Sequence, residues 1–189
     1  MPLDTLKAIQ TRYSCRAFTD KLPPMEELHI IAKAGVASPS AVNRQPWRII
    51  MLTDPILMAE LEAEGMKNLA AQSDRGGYNR IMTRGGKLYY GAPAMALLLI
   101  PKTERPGGEL LDCGIVTQNV ALAATSLGID NLICGMASFS FMGEKGAEFR
   151  QRLGFPDGFT LGIAVLLGYA ENPHGQPHEP DESKISFIG

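Results

Sequence analysis

Three observations predict an α+β fold. Helical periods and short apolar strand runs mix along the chain without a strict β-α-β alternation, which argues against a doubly wound parallel sheet. Two continuous apolar runs, "APAMALLLI" at 92–100 and "FTLGIAVLLGYA" at 159–170, fit central strands buried on both faces. The 189 residues, 45% hydrophobic and 20% charged, suit an ordinary globular chain with one core, and neither an internal repeat nor a linker divides it. A single domain over residues 1–189 is expected.

Each element has its own signal. Residues 3–12 read as a helix that Asp4 can cap, with Leu6 and Ile9 on one face. Pro23-Pro24 opens a second helix over residues 25–37, where Leu28, Ile31 and Ala32 recur at helical spacing. "SPSAVNRQP", 38–46, is a loop by its turn formers, and "WRIIMLT", 47–53, is a short strand rich in aromatic and β-branched residues. Asp54-Pro55 places an N-cap before a proline at the first helical position, starting a helix that runs to Gln72. Residues 73–91, rich in glycine and cations with weak periodicity, read as an irregular, mobile surface segment. "ELLDCGIVTQNVALAATSLG", 109–128, is the longest helical signal. Its apolar residues cover nearly the whole circumference, so it is expected to be buried, and Gly128 stops it. Residues 129–135 form a strand or extended link, and 143–154 an exposed helix stopped by Gly154. The Pro-rich extension at 170–189 is irregular.

Composition excludes several classes of function. A formal charge of −2 argues against a general nucleic-acid binder, which needs a basic surface to neutralise phosphates. Cys15, Cys113 and Cys134 are odd in number and far apart, so neither a disulfide framework nor a zinc ribbon is indicated; they read as reduced thiols of a cytoplasmic protein. "MPLDTLKAIQ" lacks the basic start and apolar run of a signal peptide. The longest apolar runs are too short to span a bilayer. No P-loop, no G-x-G-x-x-G after a strand and no G-x-S-x-G elbow is present. His174 and His178 stand four apart, but Pro173 and Pro177 oppose the helix that would aim both at one metal, so they read as part of a polar tail. With three histidines in all, a protein-borne general base is not the obvious engine, and weight moves to a cofactor.

Two segments could hold one. In "TRYSCRAF", alternate side chains of an extended segment share a face, so Arg12, Ser14 and Arg16 present two guanidinium groups flanking a hydroxyl. That is a phosphate grip or, equally, a solvated charged loop. The turn at 38–46 offers Ser38, Ser40, Asn43 and Gln45, which either read the edge of a polar heterocycle or cap their own backbone.

Taken together and in this order, the segments resemble the FMN-dependent nitroreductase family. Its Arg-x-Ser-x-Arg/Lys-x-Phe motif is matched by Arg12, Ser14, Arg16 and Phe18, and its Pro-Ser-x-x-Asn-x-Gln-Pro-Trp motif by Pro39, Ser40, Asn43, Gln45, Pro46 and Trp47. An Ala-Pro before a central strand (Ala92-Pro93), a helix carrying Gln118, Asn119, Leu122, Ala123, Ala124, Leu127 and Gly128, and a Leu-Gly-Tyr at 167–169 extend the likeness over nearly the whole chain. The resemblance implies an α+β fold with a mixed, mainly antiparallel sheet flanked by helices, in an obligate homodimer with FMN at its interface. It implies that Arg12 and Ser14, with Tyr13 between them, hold the phosphate, and that Arg16 lies near the ribityl chain and pyrimidine end. Pro39, Ser40, Ala41 and Asn43 would reach the flavin of the other subunit. A backbone N–H from Gly135 or Met136 would meet flavin N5, and Lys184 would reach the phosphate. Arg84 and Lys87 are candidates for a cation over the flavin. The implied activity is hydride passage from NAD(P)H through the flavin to a nitroaromatic, quinone or enone in ping-pong order. Reductive dehalogenation, consumption of the flavin, and non-catalytic flavin binding are the alternatives on the same scaffold.

Overall fold

A computed structural model describes residues 4–103, 107–172 and 175–189. The fold is α+β. Helix α1 spans Thr5–Thr11 and α2 Met25–Val36. Strand β1 (Arg48–Leu52) leads into α3 (Pro55–Ala70) and α4 (Gly76–Met82). Then come β2 (Ala94–Pro101), α5 (Gly108–Ser126), β3 (Asp130–Cys134), α6 (Gly143–Arg152) and β4 (Phe159–Gly168). Short 3-10 stretches lie at Ala41–Asn43, Gly135–Phe141 and Glu182–Lys184.

The strands form one sheet in the order β1-β2-β4-β3, and each neighbouring pair is antiparallel. Among the described residues the parallel pairing is confined to an isolated bridge between Ser14 and Asn131, which lays the segment after α1 along the free edge of β3. Cys15 N–H donates to Asn131 O at 3.0 Å in the same place.

β2 is apolar on both faces because both faces are covered. Ala94, Ala96, Leu98 and Ile100 pack with α2 and α5, while Met95, Leu97 and Leu99 pack with α3 and the 135–141 segment. β4 repeats the division, with Val165 and Leu167 on one side and Ala164 and Leu166 on the other. Trp47, 4% exposed, closes the first layer beside Leu28 and Ile31. The β2–β4 register shifts between Leu98 and Leu99, where Gly162 is the extra residue of β4. A Cβ at Gly162 would lie 2.8 Å from Cys113 Sγ, so the glycine lets α5 press onto the sheet.

The capping signals hold. Asp4 Oδ1 accepts from Lys7 N–H at 2.8 Å, and Asp54 Oδ1 from Ile56 and Leu57 N–H at 2.9 and 3.1 Å. Gly128 and Gly154 end their helices at φ 76° and 67°.

Leu6 and Ile9 share a face of α1 as expected; both are exposed, and Ala8 is buried. Two expectations need correction. Helix α5 buries one side alone; Leu110 and Leu111 face outward, Leu111 at 68% exposure. Residues 73–91 are not wholly irregular, because α4 lies inside them, anchored by the buried Ile81. The 135–141 stretch carries a 3-10 helix that no periodicity announces. Among the described residues no helix is long and apolar enough to cross a membrane. No group of three or more His, Cys, Asp or Glu side chains there is placed to hold a metal, and His174 lies outside the described residues.

Candidate functional site

The bridge to β3 fixes where the segment 12–16 lies. Along it runs a row of three hollows, linked by residues they share. The first is lined by Arg12, Tyr13, Gly128, Asp130 and Asn131 and measures about 180 Å³. The second holds Tyr13, Ser14 and Arg16, with Asn172 and Gly175 of the tail. The third holds Arg16 with Arg80, Arg84, Cys134, Gly135 and Met136. Arg12, Ser14 and Arg16 therefore do not converge on a single point. They are strung along one groove, with Tyr13 and Arg16 at its joints.

The groove is short of anions and rich in unused donors. Arg12 Nη1 is buried without a partner. The carboxylate in its hollow, Asp130, is already engaged, accepting from Ala170 N–H at 2.8 Å. Burial, reinforced by Asp130, pushes the Tyr13 phenol well above its usual range, so it stays a neutral donor. Arg16 donates to Ser14 O at 3.2 Å and makes no ion pair among the described residues. At the far end a Cβ on Gly135 would meet no protein atom within 4 Å, so the backbone there opens onto free space. These features fit an elongated anionic ligand, with its most charged group at Arg12 and a flat ring against Gly135 and Met136.

Neither the Tyr13 phenol nor the Cys15 and Cys134 thiols are poised to trade protons near neutrality. Burial pushes the Cys134 thiol up to about 11, although the Met136 and Ala137 amides and the Arg16 charge favour its ionised form. Burial likewise raises the Cys15 thiol.

The remaining sequence candidates lie elsewhere on the chain. The loop bearing Pro39, Ser40, Ala41 and Asn43 packs on α5. Asn119 donates to Ser38 Oγ at 2.9 Å, Ala41 N–H to Asp112 Oδ1 at 3.3 Å, and Gln45 N–H to Ser40 Oγ at 2.8 Å. None of those four residues lines the groove of its own chain. Val42, Asn43 and Gln45 hold positive φ angles of 46°, 54° and 48°, a tight local conformation for residues with side chains. Lys184 pairs with Asp181 at 3.6 Å. Lys87 does not line the third hollow, whereas Arg84 does, joined by Arg80. Sequence reasoning missed Arg80. Its signal was the i, i+4 spacing to Arg84, hidden because Gly76-Gly77 masked the helix.

A larger cavity of about 420 Å³ lies between Asp20, Met58, Glu62, Tyr89 and Pro93. It presents two carboxylates and no cation, so it would repel a phosphate.

The same α+β fold also occurs among solved structures. A nitroreductase with bound FMN from Desulfitobacterium hafniense DCB-2 is 48% identical to this chain, superposes with a TM-score of 0.95, and covers 100% of both chains. A nitroreductase with bound FMN from Bacteroides fragilis NCTC 9343 shares the fold at 23% identity, with a TM-score of 0.86 over 99% of this chain and 100% of that one. The FMN reductase (NADPH) of Bacillus subtilis is 24% identical over 185 residues, 95% of this chain and 72% of its own length. Residues 9–169 match the model of the Nitroreductase family, and the chain belongs to that family.

Proposed function

We propose that this chain is an FMN-dependent oxidoreductase of nitroreductase type. It would work in the cytoplasm as a homodimer of one-domain subunits spanning residues 1–189. The observation that carries the reading is the buried, unpartnered Arg12 Nη1 at the head of a groove that passes Arg16 and ends at open backbone beside Gly135. The likeness at 48% identity to a protein that holds FMN supports it.

In this reading Arg12, Tyr13 and Ser14 hold the phosphate, where a guanidinium gives paired, charge-assisted hydrogen bonds. Arg16 sets a fixed positive charge at the pyrimidine end. Gly135 and Met136 present backbone to the central ring. FMN held there would supply the redox chemistry between NAD(P)H and a nitroaromatic, quinone or enone acceptor. The chain's own work is to bind, orient and supply charge. With the Tyr13 phenol and the Cys134 thiol held protonated, neither adds a competing acid or base at neutral pH. Donor and acceptor use the same open end in turn, which gives ping-pong order. By the family resemblance, Pro39, Ser40, Ala41 and Asn43, which line none of the three hollows of their own chain, would reach the other subunit's flavin. Lys184, paired with Asp181 in its own chain, would join the phosphate site.

The test is direct. Purified protein is expected to carry visible flavin absorption, or to take up added FMN at one per chain, and to oxidise NADH or NADPH when an acceptor is supplied. Protein that stays colourless after incubation with FMN overturns the proposal.

A further inference from the structure

The third hollow holds more positive charge than a flavin needs. Arg16 is accounted for by the pyrimidine end of the cofactor. Arg84 is a candidate for a cation over the flavin, Arg80 has no assigned role, and both line the same hollow. Arg80 lies in α4 and Arg84 in the turn two residues beyond its last residue, Met82, and both side chains border the hollow. α4 is fixed in that orientation. Ile81 is buried beneath it, and a Cβ at Gly77 would lie 3.1 Å from Met136 Cε and 3.3 Å from Leu69 Cδ1, so the helix sits hard against the floor of the hollow.

Three guanidinium groups around one hollow repel one another unless an anion joins them. No carboxylate lines the hollow, and none of the three makes an ion pair among the described residues. The rest of the lining includes the apolar side chains of Ile81, Leu132 and Met136.

We infer that Arg80 and Arg84 select the acceptor, and that the preferred acceptor is a small apolar molecule bearing a carboxylate. This rests on the flavin reading above, which supplies the electrons. For a nitroaromatic acid, two electrons and two protons convert the nitro group to nitroso and release water, while the carboxylate stays on the arginines. Arg80 and Arg84 bind and orient; they do not react.

The experiment compares matched anionic and neutral ligands. Fluorine NMR titration of 4-fluorobenzoate and 4-fluorobenzamide gives binding, and kcat/KM for 4-nitrobenzoate and 4-nitrobenzamide gives selectivity. The wild type is expected to prefer the carboxylate in both. The Arg80→Gln, Arg84→Gln double variant is expected to lower that preference by about tenfold or more, the size of a lost charge-assisted hydrogen bond. Arg75→Gln removes a charge from the same segment, but its guanidinium lies over the Tyr78 ring and outside the hollow, so this variant should keep the preference. A wild type that binds both ligands alike, or a double variant with the preference intact, overturns the inference. Flavin content is read from visible absorption of the same samples. Absent anion preference with flavin in place sinks this inference alone, whereas protein that takes up no FMN sinks the flavin reading beneath it.

Discussion

Arg12 combines two facts that rarely coincide: a guanidinium nitrogen that is buried, and no group for it to bond. Leaving such a donor unpaired costs free energy, and a bound phosphate would remove that cost. Arg12→Ala should therefore weaken FMN binding by about 1.5–3 kcal/mol, the worth of a hydrogen bond to a charged group. Fluorescence titration with free FMN measures it, and an unchanged Kd refutes the role. Cys134 carries a second prediction. Burial raises its folded pKa to about 11, above the ordinary thiol value near 8.5. Between those limits the folded chain holds a proton that the unfolded chain has lost. The stability this provides is complete below about pH 8.5 and fades as pH rises to about 11, at up to about 1.4 kcal/mol per pH unit. Thermal unfolding from pH 8 to 11 should show a shallower decline in Cys134→Ala than in the wild type. Identical slopes would contradict the assignment. Residue identity made Arg12 and Arg16 legible as anion donors, because charge and spacing are written directly in the chain. Arg80 was not legible in that way. Its position depends on how α4 meets the β3 edge, and no local pattern encodes that contact.

The elements that sequence placed well are those with chemical punctuation. Asp54-Pro55 marks α3 because the carboxylate caps the first free N–H groups and the proline needs none. The double-sided apolar runs mark β2 and β4 because only a central strand hides both faces. α4 lacked such marks: Arg75 at its N-cap makes no side-chain capping bond, and the helix opens on two glycines. Helix α6 shows what tertiary packing adds. A Cβ at Gly146 would run into the backbone of Phe141, so α6 and the 135–141 segment touch main chain to main chain. Backbone cannot yield as a side-chain tip can. Gly146→Ala should destabilise the chain by about 1–3 kcal/mol, despite alanine's better helix propensity. Chemical denaturation gives the number, and a variant as stable as the wild type would show that the contact relaxes freely. Because Gly135 starts the same segment, flavin content should fall with stability.

At the scale of the molecule, apolar surface is left open in a pattern. Leu6 and Ile9 of α1, Leu110 and Leu111 of α5, and Ile185, Phe187 and Ile188 of the tail are all exposed, Phe187 at 96%. On α5 the stripe Leu111, Ile115, Gln118 and Leu122 follows helical spacing along one side. The apparent all-round hydrophobicity of α5 in the sequence thus has two parts, one face against the sheet and another left exposed. In the proposed homodimer this exposed face would meet the second copy, whose 39–43 loop would reach this groove. Leu111→Glu should convert a dimer into monomers that lose flavin. Light scattering and absorption on one sample check both, and a flavin-loaded dimer in this variant would exclude the stripe as the interface.

Val42 lies in that loop, 82% exposed, with a β-branched side chain at φ 46°. Left-handed backbone costs a non-glycine residue roughly 1–2 kcal/mol, and here no buried surface is gained in return within one chain. Glycine at this position would relieve the strain without touching the core. It would also free a loop whose neighbours, Pro39 to Asn43, are assigned to the cofactor. A trade-off between rigidity and activity is thereby concentrated at one surface valine, where an engineer seeking a more heat-resistant protein would meet it first.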